Sequence, residues 1–168
     1  MGELRPVDCE LLRELMKDSR RSDRQLAKAV RASQPTVTRR RLRLEKDFIE
    51  AYTTIPKFEK IGFELVAFTF VKSRFRDAWL EEKEDARRKG REWIMKQPNC
   101  IFAVSGQGMG WDGLCISFHR SYSDFAEFKR SLNTEGADFI TDSESFIAVL
   151  DSKNDIKPFN FKYLAQAR

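Results

Sequence analysis

The densest run of chemistry-bearing side chains lies between positions 20 and 46, where ten basic residues stand against two acidic ones, Asp23 and Glu45, a local net charge of +8. Such a patch suits polyanions: each phosphate it neutralises releases condensed counterions, giving affinity that falls as salt rises. Residues 1–60 hold 15 Lys and Arg against 10 Asp and Glu, whereas residues 61–168 hold 16 of each. The whole surplus of +5 therefore sits in the first third of the chain. Within the patch, Gln34, Thr36, Thr38 and Arg39 are side chains able to bond base edges: Arg to guanine, Gln to adenine, and a Thr methyl to the thymine methyl. Arg40, Arg41 and Arg43 are better suited to phosphates, which position a protein on a duplex without reading its sequence, and Arg24 and Ser33 complete the expected DNA-binding set. A solvated basic face with no partner is the competing reading of the same charges.

Other reactive groups are sparse. The string GQGMGWDG at 106–113 looks like a phosphate loop, but such loops open a helix, and this one leads into a strand. His119 is the only histidine, and without a second His or a Cys–His pattern it reads as structural. Three widely spaced cysteines, Cys9, Cys100 and Cys115, suggest neither a disulfide framework nor a zinc site. No catalytic residue, metal or cofactor is expected.

The elements that position the patch are short helices. Val7, Leu11, Leu12 and Leu15 recur at spacings of three and four, which predicts an amphipathic helix to Lys17. Ser22 with Gln25 is a capping-box pattern opening a second helix, and Ser33 with Pro35 in the first turn opens a third, to about Lys46. Three helices with a tight turn between the last two form the helix-turn-helix pattern, whose final helix enters the major groove. Phe48 to Ile55 is β-prone and predicts a small hairpin, or wing, closed by Pro56.

Downstream, the apolar run Phe63 to Val71 predicts a buried strand. A charged helix follows over about Asp77 to Lys96, with Trp79, Ala86 and Trp93 on its buried stripe and an i,i+4 pair of Glu84 with Arg88. Strands at Cys100–Ser105 and Leu114–His119 flank a glycine-rich turn; a helix near Ser123–Leu132 and a last strand near Ser145–Leu150 complete the order. Strand, helix, strand, strand, helix, strand is the ferredoxin-like βαββαβ arrangement, an α+β fold with both helices on one face of an antiparallel sheet. The expected organisation is a winged helix-turn-helix at 1–55, a connector at 56–62, a ferredoxin-like unit at 63–151 and an extension at 152–168, which adds either an edge strand or an oligomer contact. The other sheet face needs a cover, and self-association supplies one. No apolar run approaches the roughly 18 residues of a membrane helix, so no membrane partner and a cytoplasmic location are expected.

The stretches DCELLREL (8–15), DSRRSDRQLA (18–27), SQPTVTRRRLRLE (33–45), Tyr52-Thr53 before IGFEL (61–65), and the glycine-rich turn ending in Asp112 together resemble the Lrp/AsnC, or feast/famine, family over nearly the whole length. The resemblance implies a transcription regulator that binds double-stranded DNA, forms a homodimer and assemblies up to an octamer, and responds to an amino-acid effector held by its regulatory (RAM) domain. Carried over, the effector residues are Gly106, Gly108 and Asp112 in the turn from Ser105 to Asp112, with Asp112 meeting the ligand's amino group, and Phe146 and Ile147 on the last strand. Relatives of the same layout include haem-pathway decarboxylases that bind a tetrapyrrole and use histidine, which is the alternative function. The chain departs from the family pattern at Arg31 and Ser19, where turn glycines are usual, at Arg41-Leu42, whose order is reversed, and at Asp47-Phe48, which lacks the glycine that opens a wing.

Overall fold

Capping decides where the first three helices begin. Arg5 caps α1 (Pro6–Lys17), and the Asp8 carboxylate accepts the Arg5 backbone N–H at 3.1 Å. Ser22 and Gln25 form a reciprocal box at the start of α2 (Asp23–Ala29), and the Ser33 hydroxyl accepts the Thr36 N–H to open α3 (Gln34–Asp47). These side chains satisfy amide donors that a helix start leaves without partners. The structure, a computed structural model, describes residues 3–75, 80–151, 153 and 156–166, with the side chains of residues 80–83 not described. Two compact units result, 1–55 together with 157–168, and 56–156.

In the first unit, Leu11, Leu15, Leu26, Val30, Val37 and Leu44 close one core between the three helices. Each fully buried leucine or valine contributes about 1.5–3 kcal/mol relative to exposure. The wing expected over Phe48–Ile55 is not formed; no strand occurs there. Phe48 and Ile49 fold back onto the helical core, and the Tyr52 hydroxyl donates to Glu45 Oε1 of α3 at 2.9 Å, so the segment runs along the helix instead of pairing with itself. The described residues of the extension form no edge strand: a 3-10 turn, Phe161–Gln166, packs on α1 and buries Ala165.

In the second unit, β1 (Leu65–Ser73), α4 (Leu80–Met95), β2 (Cys100–Gly108), β3 (Trp111–His119), α5 (Tyr122–Glu135) and β4 (Ile140–Val149) build a four-stranded antiparallel sheet in the order β2-β3-β1-β4. Alternate residues of a strand face opposite sides. Leu65, Ala67 and Cys115 therefore meet Trp93 of α4 and Phe125, Phe128 and Leu132 of α5 in one core. The opposite side carries Val66, Phe68 and Phe70 of β1 beside Leu114 and Ile116 of β3 and Phe146 of β4. Phe58, in a 3-10 turn ahead of β1, stacks on Phe118 at 4.2 Å and covers one end of that side. Of the expected α4 stripe, Ala86 and Trp93 are buried, while Trp79 falls outside the described residues. The pair of Glu84 with Arg88 does not form; Arg88 joins Asp85 and Glu92 on its own helix.

The glycine-rich stretch is not a loop. Ser105 to Gly108 belong to β2, Trp111 and Asp112 to β3, and only Met109 and Gly110 turn the chain, both at positive φ (+51° and +84°). A two-residue hairpin with both central residues at positive φ favours Asn-Gly, because a side chain such as Met costs about 1 kcal/mol there. Met109→Asn should therefore raise unfolding stability by up to about 1 kcal/mol; a urea midpoint that stays put or falls argues against a strained turn.

Candidate nucleic-acid interface

The orientation of α3 follows from which side it buries. Val37 and Leu44 point into the helical core, so Pro35, Arg39, Leu42 and Lys46, spaced four, three and four apart, form the outward stripe. Gln34 and Thr38 flank it and are also exposed. The Thr38 hydroxyl donates to Asp23 of α2 at 2.6 Å, and Ser33 Oγ lies 2.8 Å from Thr36 Oγ1, so these hydroxyls also hold the turn in shape.

The inner side of α3 is held by carboxylates. Asp8 of α1 is 1% exposed, and its two oxygens meet Arg40 at 2.7 Å and Arg43 at 3.5 Å. Burial by itself would raise its pKa, but hydrogen bonds from Arg40 and the Arg5 amide, with the charges of Arg40 and Arg43, outweigh that and hold it below its ordinary 3.8. Arg41 reaches Glu45 at 2.9 Å and Asp23 at 3.2 Å, donates to the Arg21 carbonyl, and lies over the Tyr52 ring. Arg43 also donates to the Glu3 carbonyl at 3.1 Å.

These contacts change the assignment of the basic residues. Arg40, Arg41 and Arg43, expected to face phosphates, are committed to the unit's own framework. Among the described residues Arg24 and Lys28 of α2, Arg31, and Arg39 and Lys46 of α3 form no ion pair and are exposed. With Arg20, also exposed and in no ion pair, they are the cations of positions 20–46 left to face an anionic partner. Arg31 sits in the turn between α2 and α3 at φ +52°, the left-handed conformation that costs a non-glycine residue about 1 kcal/mol. Ser19, the other site of a missing glycine, is not strained: among the described residues positive φ outside glycine occurs only at Arg31 and Met109.

Two residues here escaped the sequence reading. Asp8 shares the buried stripe of Leu11 and Leu15 at spacings of three and four, and a carboxylate on an apolar stripe is the signal of a buried ion pair. Leu42 is 63% exposed on the polar side of α3; counting helical positions from Val37 would have placed it there.

In the second unit, the expected effector residues do not converge. Gly106 and Gly108 lie on β2 with open space around them, and Asp112 Oδ2 accepts the Ser73 N–H at 2.9 Å, tying β3 to the end of β1. Phe146 is 66% exposed on the open sheet side, whereas Ile147, its neighbour in sequence, packs against the core on the other side. Consecutive strand residues cannot line one pocket on one face. His119 is 0% exposed, with Asn99 Nδ2 3.1 Å from Nδ1, Ser117 Oγ 2.8 Å from Nε2, and the rings of Phe125 and Phe128 against it. Burial pushes its pKa below the ordinary 6.5, and Asp124, 3.8 Å away, only partly counters this.

Comparison with known proteins agrees with this geometry. Residues 6–45 match the AsnC-type helix-turn-helix domain. An uncharacterised HTH-type transcriptional regulator of Pyrococcus furiosus is 29% identical over 138 residues, 81% of this chain and 86% of that protein. Among solved structures, a transcriptional regulator of Neisseria meningitidis in complex with L-Met superposes with a TM-score of 0.77 at 22% identity, covering 93% of this chain and 94% of the other. LrpC of Bacillus subtilis gives 0.70 at 22% identity, over 93% and 100%. The helix-turn-helix and its exposed cations define a DNA-binding transcription regulator. In that domain the chain is similar to AsnC-type proteins, and its α+β fold matches that of the solved regulators. Among the described residues no helix is long and apolar enough to cross a membrane.

Two outcomes follow from the buried groups. Asp8→Asn should destabilise the helical unit by about 3 kcal/mol, because Arg40 loses the charge it faces. Since the folded carboxyl titrates below 3.8, wild-type stability from this group is complete above that pH and is lost as pH falls through the folded value; a variant as stable as wild type at neutral pH removes the clamp from the account. For His119 the depressed folded pKa means full stability above 6.5 and a decline below it, as the unfolded chain takes up a proton that the folded core refuses. His119→Gln should flatten that slope in thermal melts between neutral pH and pH 5, and an unchanged slope assigns it elsewhere.

Proposed function

We propose that the chain is a homodimeric, sequence-specific regulator that sets α3 of each copy into the major groove of double-stranded DNA and answers to an amino acid or related metabolite. The observation that carries the reading is the outward stripe of α3: Gln34, Thr38 and Arg39 stand exposed on one side of a basic helix whose other arginines are held inward. Arg39 suits a guanine edge and Gln34 an adenine edge, while Arg24, Lys28 and Arg31 alongside suit the flanking phosphates.

Dimerisation is supported by the bare apolar side of the sheet, where Phe102, Val104 and Phe146 are about half or more exposed beside Phe68 and Ile116. A second copy placed on that side removes the patch from water, and octamers can be built from such dimers. A metabolite site near Gly106, Gly108 and Asp112 is supported by the L-Met complex of the similar Neisseria protein. With Phe146 and Ile147 on opposite sides of the sheet, only Phe146 stands on the side open to a ligand or a second copy. The alternative tetrapyrrole chemistry needs an approachable imidazole, and His119 is enclosed. A regulator of this kind works in the cytoplasm.

Selection of bound duplexes from a random pool, with and without an amino-acid mixture, tests the whole reading. The expected product is a roughly palindromic site with half-sites about one helical turn apart, enriched differently when the effector is present. Arg39→Ala should lose sequence preference while keeping affinity for random DNA. Arg24→Ala should weaken all duplexes alike and flatten the salt dependence by about one ion. No enrichment above the starting pool, even in dilute buffer, overturns the proposal.

A further inference from the structure

We propose that Leu42 is a specificity-determining residue that reads the 5-methyl group of a thymine in the major groove, one helical turn beyond Arg39. The inference rests on α3 being the groove-entering helix and deepens that reading by naming what its third turn recognises.

A single exposed leucine on an ordinary surface needs no explanation, because much of any protein surface is apolar. Leu42 differs in its setting. It lies on the same stripe as Pro35, Arg39 and Lys46, opposite the buried Val37 and Leu44. Its neighbours in sequence both turn away from it: Arg41 towards Asp23, Glu45 and Tyr52, and Arg43 towards Asp8 and the Glu3 carbonyl. The isobutyl group is therefore left uncovered in the middle of the cationic face. A helix rises about 1.5 Å per residue, so Leu42 stands about 4.5 Å along the axis from Arg39, one or two base-pair steps further.

The groove edge of a base pair presents acceptors, amino donors and one apolar group, the thymine methyl. Leucine offers no hydrogen bond, so setting it against a guanine acceptor or a cytosine amino group strips water from those atoms without replacement. Against a methyl, the same approach buries two apolar surfaces. The chain thus pairs a hydrogen-bonding reader, Arg39, with an apolar one, and the position facing Leu42 should demand thymine because of that methyl.

The test uses duplexes selected by the wild-type protein from a random pool. Each thymine of the selected site is replaced in turn by deoxyuridine, which removes only the methyl. Wild-type binding should weaken at one position per half-site by roughly fourfold, the transfer free energy of one methyl-sized group. Leu42→Ala should be indifferent at that position, keep the response at the others, and melt at the wild-type temperature because the side chain lies outside the core. Cytosine placed there should bind poorly to wild type, and 5-methylcytosine should recover part of the loss. A wild-type protein indifferent to every deoxyuridine, or an Ala variant with the full wild-type response, overturns the assignment while leaving DNA binding intact. A wild type that selects no duplex overturns the recognition helix itself.

Discussion

A carboxylate buried among helices must be paired, and in this protein that requirement organises the DNA-binding unit. Asp8, at the start of α1, is satisfied by the Arg5 amide and by Arg40 and Arg43 of α3. The pairing fixes α3 against α1 and turns two guanidinium groups inward. Asp23 of α2 does the same from the other flank, taking Arg41 and Thr38. With its roll set from both sides, α3 has one remaining surface, and what stands there is a short, mixed row of Gln34, Thr38, Arg39 and Leu42. A buried ion pair adds little net stability compared with an apolar substitute, and its better-attested use is to specify one arrangement over others. Here the specified arrangement is the one that presents the row.

The second unit obeys a different constraint, the alternation of side chains along its strands. One side of the sheet is filled by α4 and α5, with a few polar groups that find partners inside: Thr69 with Ser145, and His119 with Ser117 and Asn99. The other side is apolar and unfilled apart from Phe58 at one end. The same alternation separates Phe146 from Ile147, so the two cannot line one face together.

Local signals in the sequence were legible because they act over a few residues. The Ser22–Gln25 box, the Ser33 cap and the apolar run of β1 each form where their spacing places them. What escaped depends on residues distant in the chain. A charge count around positions 20–46 misses Asp8, which holds Arg40 from 32 residues away, and nets Asp23 and Glu45 without showing that both are committed to Arg41. The β-prone residues after α3 suggest a hairpin, yet Phe48 and Ile49 find more burial on the helical core, and Tyr52 finds Glu45. Four glycines between Gly106 and Gly113 suggest a loop, but nothing in a strand forbids glycine, and register with β3 carries the pairing to Gly108.

The helical unit is discontinuous: α1 receives its last neighbour from the 3-10 turn at Phe161–Gln166, which follows the whole sheet unit in the chain. During synthesis the first three helices leave the ribosome early, yet the flank of α1 stays uncovered until Phe161–Gln166 is made. Nascent chains therefore display the basic helices before that unit is whole, and stop codons arising near position 157 would strip α1 of its cover while leaving every exposed cation of α2 and α3 encoded.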